Sequence, residues 1–239
     1  MPAIIILGGH RSGTSVTARL IHELGFPAAP SPRRLLRPQP GRERDNPDGY
    51  FEDIAFVRLH RRMLGEHVQS LGGWRNPRRD DAVLARSRSR YRELLRERAE
   101  AGPCWSLKDP RLCLLGDLLF AALAELEIAS RVVTTVRPLS EVVGSLTRRG
   151  LCEADAQRLA EVFEAGRVGM QQLAASLGIP CLEVSLASAK TGSEVEAQVS
   201  RLQQFLGREN APIAAAELAD LVRVGRGGRG PNKVTEKAR

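Results

Sequence analysis

Ile4-Ile5-Ile6-Leu7-Gly8-Gly9-His10-Arg11-Ser12-Gly13-Thr14-Ser15 is the stretch whose reading decides the fold. Ile4 to Leu7 is a short, mostly β-branched apolar run, the pattern of a buried strand. Gly8 to Gly13 is a tight glycine-rich loop. Ser15 to Leu24 then carries Val16, Leu20, Ile21 and Leu24 at helical spacing. A strand, a glycine loop and a helix start make a device for holding phosphate. Glycines let backbone N–H groups converge, and the helix N-terminus adds unpaired donors with partial positive charge. The device is P-loop-like, with a departure. A nucleotide-hydrolase loop places Lys before its final Ser or Thr. Gly8 and Gly13 have the right separation, but Thr14 stands in the Lys position and the loop's cation is Arg11.

Outward from this stretch, strands and helices alternate. Cys104 to Leu107, Arg131 to Val136 and Pro180 to Val184 are predicted as strands. Helices are predicted from Ile54 to Val68, closed by Leu71-Gly72-Gly73, and from Asp80 or Asp81 to about Glu100. Others run from Leu112 to Ile128, from Pro138 as first helical residue to Arg149, as one or two helices between Glu153 and Leu177, and from Gly192 to Leu206. Alternation of this kind implies a three-layer α/β fold, a parallel central sheet with helices on both faces. Ligands of such sheets sit beyond the carboxyl ends of the strands. Arg11, Lys108, Asp109, Arg111 and Arg137 all fall just after strand ends and are expected to share one rim. Residues 25–50, rich in Pro and Arg, are expected as a flexible substrate-side loop.

The 239 residues suit one sizeable α/β domain, placed at 1–222, followed by a basic tail at 223–239. The net charge is +8, and six basic residues against one Glu lie from Arg223 onward, so five of those charges belong to the tail. A mildly basic globular part argues against an extended nucleic-acid surface. Only Lys108, Lys190, Lys233 and Lys237 are lysines; the other basic residues are arginines, suited to bidentate phosphate contacts. The four cysteines, Cys104, Cys113, Cys152 and Cys181, make no C-x-x-C pair, so no zinc is expected. Cys104 and Cys181 read as buried thiols of a reducing compartment. With neither a signal-peptide pattern nor an apolar run long enough for a membrane span, the expectation is a cytoplasmic protein.

Arg137 and Ser145 form a second constellation, an Arg at a strand end and a Ser two helical turns above Pro138. Together with Arg11-Ser12-Gly13-Thr14-Ser15, this spacing resembles the sulfotransferases that use 3′-phosphoadenosine 5′-phosphosulfate (PAPS). The His-Arg-Ser-Gly-Thr-Ser form, Gly49-Tyr50-Phe51-Glu52 and Lys108-Asp109-Pro110-Arg111 are similar to bacterial branches of that family, over roughly residues 4–150. The resemblance implies that Arg11, Ser12, Gly13, Thr14 and Ser15 hold the 5′-phosphosulfate, and that Arg137 and Ser145 hold the 3′-phosphate. It gives Arg223, in a tail similar to the family's Arg-Lys-Gly segment, a share of the 3′-phosphate; an ordinary basic tail is the rival reading. Arg11 is expected to act on the bridging oxygen. The family's common His after the second strand is missing here, so Glu52 is the first candidate for the general base and Asp109 the second. Lys108, on the catalytic side, and Arg111 are expected to contact the sulfuryl oxygens or to hold Asp109, and Arg111 and Tyr50 are assigned to the substrate side. The acceptor implied is a hydroxyl or amine of a small molecule, natural product or carbohydrate, with PAP as co-product and no metal. His10 is read as loop-shaping, and His22, His60 and His67 as surface or core residues. A small-molecule kinase of P-loop fold and a non-catalytic nucleotide-binding protein are the alternatives.

Overall fold

A computed structural model describes residues 2–38, 49–65, 81–211 and 214–224. Four strands, β1 (Ala3–Leu7), β2 (Ser106–Lys108), β3 (Ser130–Thr135) and β4 (Cys181–Val184), form one sheet in the order β2-β1-β3-β4. All three pairings are parallel, with Ile5 opposite Leu107 on one side and Val132 on the other. Every residue of β1 is buried, as a central strand covered on both faces requires.

The period-two alternation of β1 divides the core. Ala3, Ile5 and Leu7 face α2 (Ile54–Met63), α3 (Asp81–Glu100) and α4 (Leu112–Glu125). Ile4 and Ile6 face α1 (Thr14–Glu23), α7 (Gly192–Leu206) and α8 (Ala215–Val224). A third apolar cluster joins α5 (Leu139–Thr147) to α6 (Glu153–Ser176) and to Cys113 of α4. The fold is therefore the expected three-layer α/β arrangement. Because α1 leaves β1 toward one face and α5 and α6 follow β3 on the other, a crevice opens between the carboxyl ends of β1 and β3.

Several boundaries differ from the sequence reading. Strand β2 starts at Ser106 instead of Cys104 and ends on Lys108. Its outer edge is met by the chain after α1, with Ser106 N donating to Pro27 O at 3.0 Å and Ser106 Oγ to Phe26 O at 2.9 Å. These bonds set the start of β2 and cover an edge otherwise open to pairing. Pro138 is the N-cap of α5, one residue outside the helix. Residues 153–176 make a single helix. Helix α8 was not expected; it packs Leu218, Ala219 and Val222 into the core just before the glycine-arginine run. Cys104 and Cys181 are half-buried, not buried, and all four cysteines are free. Burial pushes the Cys113 thiol up to about 12.

The first part of the expected 25–50 loop is packed. Phe26, Ala28 and Ala29 are buried, and Pro32–Arg34 forms a 3-10 turn. Leu35 bridges to Asp53, and Leu36 N donates to Glu52 O at 2.8 Å. The rest of that loop at 39–48, the Gly72-Gly73 helix stop, Asp80, His67 and the tail from 225 onward lie outside the described residues. No helix among the described residues is long and apolar enough to cross a membrane.

Candidate functional site

The loop after β1 is shaped by its own backbone. Arg11 takes φ 69° and Gly13 φ 97°, the left-handed region. At Gly8 a Cβ would lie 1.9 Å from Thr135 Oγ1, and at Gly13 one would lie 2.7 Å from Ala187 Cβ, so neither position admits a side chain. Helix α1 starts with no side-chain cap. Thr17 N is its first amide with an acceptor, Gly13 O at 3.1 Å; the amides of residues 13–16 have none among the described residues. Four unpaired donors at a helix start are a seat for an oxyanion.

The expected loop ligands divide into two sets. Ser12 turns inward: its Oγ donates to Gly9 O at 2.8 Å and lies 2.8 Å from Thr135 Oγ1, which itself donates to Leu7 O at 3.3 Å. Its hydroxyl thus holds the loop's shape, and its amide donates to Gly9 O at 3.3 Å. Thr14 is also buried, whereas Arg11, Gly13 and Ser15 are half-exposed.

Arg137 and Ser145 stand against this loop. Arg11 Nε donates to Ser145 Oγ at 2.9 Å. Arg137 Nη1 donates to Arg11 O at 3.0 Å, and its Nε to Glu141 Oε2 at 2.9 Å. The residues that sequence alone put into two motifs form one bonded unit across the β1–β3 crevice. His10 packs edge-on against Phe163, ring centroids 4.8 Å apart, beside the same crevice. Burial, helped by the nearby Arg111, Lys108 and Arg11 charges against the opposing Asp109, keeps its imidazole well below the usual histidine range and therefore neutral at pH 7.

On the β2 side, Lys108 Nζ donates to Glu52 Oε1 at 2.5 Å, to Ser15 Oγ at 3.2 Å and to Tyr50 O at 3.2 Å. Burial, supported by the Asp109 charge, raises the Glu52 carboxyl above the ordinary carboxylate value; Lys108 and Arg111 oppose this. Glu52 Oε2 makes no hydrogen bond among the described residues. Asp109 is sealed, with no exposed surface. Its Oδ1 accepts from Arg111 N and Nη1, each at 3.0 Å, and His60 Nδ1 lies 2.8 Å from Oδ2. Burial alone would raise its carboxyl, but Arg111 and the His60 bond win and hold it far below the usual range. His60 is a core residue that continues to Tyr91 OH at 3.2 Å from its Nε2. Its part in the site escaped the sequence reading, because its partners are 49 and 31 positions away. Arg111 is itself 4% exposed and braces Asp109 from within.

Two further ties fix Glu52. Phe51, before it, takes φ 52° and sets its ring 5.5 Å from that of His22. Asp53, after it, caps α2 through Ala55 N at 2.9 Å and takes both ends of the Arg34 guanidinium at 3.0 Å. Tyr50 is half-buried and contributes its carbonyl. Arg223 lies in the last turn of α8. No group of three or more His, Cys, Asp or Glu side chains among the described residues is placed to hold a metal ion. Comparison with models of known families, with characterised proteins and with solved structures finds no match.

Proposed function

We propose that the protein is a PAPS-dependent sulfotransferase acting on a hydroxyl or amine of a small-molecule, natural-product or carbohydrate acceptor. One observation carries the reading: the Arg11 loop, Arg137 and Ser145 meet at the β1–β3 crevice, joined by the Arg11–Ser145 and Arg137–Arg11 bonds. In this reading the open amides of residues 13–16 take the 5′-phosphate. Arg11, its fork aimed by Ser145, faces the oxygen bridging phosphorus and sulfur. Arg137 and Ser145, with Arg223, serve the 3′-phosphate.

The acceptor oxygen or nitrogen attacks sulfur in line. A bond to sulfur forms as the sulfur–bridging oxygen bond breaks, and PAP leaves with the electron pair. Charge grows on the bridging oxygen, where a guanidinium stabilises it. The acceptor's proton goes to Glu52, whose raised pKa and unbonded Oε2 suit a base. Asp109, sealed and held strongly acidic, serves to brace Arg111. No metal is required for this step.

Thermal shift with PAP, without metal, against magnesium ATP tests the reading. Stabilisation by PAP supports it; preference for magnesium ATP overturns it in favour of a kinase.

A further inference from the structure

The Lys108 ammonium sits in a cage of hard oxygens. Its three neighbours are a carboxylate oxygen of Glu52, a hydroxyl of Ser15 and a main-chain carbonyl of Tyr50, at 2.5, 3.2 and 3.2 Å. The Lys108 and Glu52 side chains are 2% and 7% exposed. Carboxylate, hydroxyl and carbonyl oxygens are also the donor set that hard divalent cations take. Ser15 makes the coincidence specific. It follows the glycine loop at the position where a phosphate-loop enzyme offers a hydroxyl to its magnesium ion.

From this we infer that Lys108 is a specificity-determining residue: its ammonium fills the cation position beside Ser15, so the rim accepts metal-free anionic co-substrates and rejects magnesium nucleotides. The inference rests on the phosphate-loop reading of the site and adds what selects the donor. A nucleoside triphosphate arrives carrying magnesium, which would have to sit against Ser15 and so against Nζ. Like charges at that distance in a buried site repel strongly. A phosphosulfate carries less charge and needs no metal escort. All three Nζ protons already have oxygen partners, so Lys108 acts on the bound anion chiefly as a fixed charge.

The substitution Lys108→Ala tests this by opening the cage while keeping its oxygens. Manganese alone, without nucleotide, is titrated into the wild-type protein and the variant, with melting temperature and the manganese spin-resonance signal as readouts. The variant should bind one manganese and gain about 5–10 °C when the metal is at roughly a hundred times its Kd. Wild-type protein should show neither effect, and Glu52→Gln in the Lys108→Ala background should abolish both. A variant indifferent to manganese, or a wild type that binds it at this place, overturns the inference. If Lys108→Ala does not fold, the wild type decides with ADP. Magnesium should weaken ADP binding to it, and strengthened binding overturns the inference. Neither arm uses PAP, so a failure of PAP to bind would count against the sulfotransferase reading and leave the Lys108 result standing.

Discussion

Arg11 and Phe51 are two of the three non-glycine residues with positive φ among the described residues, and both border the rim. Such conformations cost on the order of 1–3 kcal/mol each and persist where the surroundings over-determine them. Here they turn the Arg11 side chain toward Ser145 and set Glu52 between two anchored neighbours. Removing the Arg137 guanidinium in Arg137→Ala should weaken PAP binding by about 10–100-fold, the loss of a charged hydrogen bond. AMP, which lacks the 3′-phosphate, should lose much less, and calorimetric titration giving equal losses would refute the assignment. Glu52→Gln should lower kcat by about 10²–10⁴ with PAP binding intact, as loss of a general base does. A base must be ionised, so wild-type kcat should fall as pH drops through the raised Glu52 value, above the ordinary 4.5. Asp109 and His10 give stability the same sign. Both are depressed in the folded state, so each contribution is complete above the unfolded value and is lost as pH falls below it. His10 should therefore weaken the fold from about pH 6.5 downward, and His10→Gln should flatten that slope in denaturant titrations. Asp109 acts from about pH 4 downward, and Asp109→Ala should cost about 3–5 kcal/mol at pH 7 by stranding buried Arg111.

Whole elements were legible where the signal was local. The first strand and its glycine loop, and helix α7 to the residue, follow from runs and spacings within a few positions. The inward turn of Ser12 was not legible, because it answers to Thr135, 123 positions away. The true start of β2 was hidden for the same reason, being set by Phe26 and Pro27. Strand-end position brought Arg11, Arg137 and Lys108 to the glycine loop, but sequence could not show that Lys108 would reach back to Ser15 or that Asp109 and Arg111 would be buried behind it, with Asp109 sealed by His60. Helix α8 has apolar residues at helical spacing, masked by the glycine-arginine run that follows it. Two glycines separate site from scaffold at this scale. In Gly8→Ala the new methyl meets Thr135 under the loop, so PAP binding should be lost along with about 1–3 kcal/mol of stability. In Gly166→Ala it meets Cys113 O at 2.4 Å between α4 and α6, so the melting temperature should fall while PAP affinity in the folded fraction is kept.

Across the whole molecule, the sheet order β2-β1-β3-β4 places the earliest strand in the middle. Neither neighbour of β1 exists until the chain has been made past Ser106 and then Ser130. At translation rates of about 5–20 residues per second, β1 waits roughly 6–25 s for β3. During that interval Ile4, Ile5 and Ile6 form an apolar strand without partners, the kind of segment a nascent chain leaves to holding chaperones.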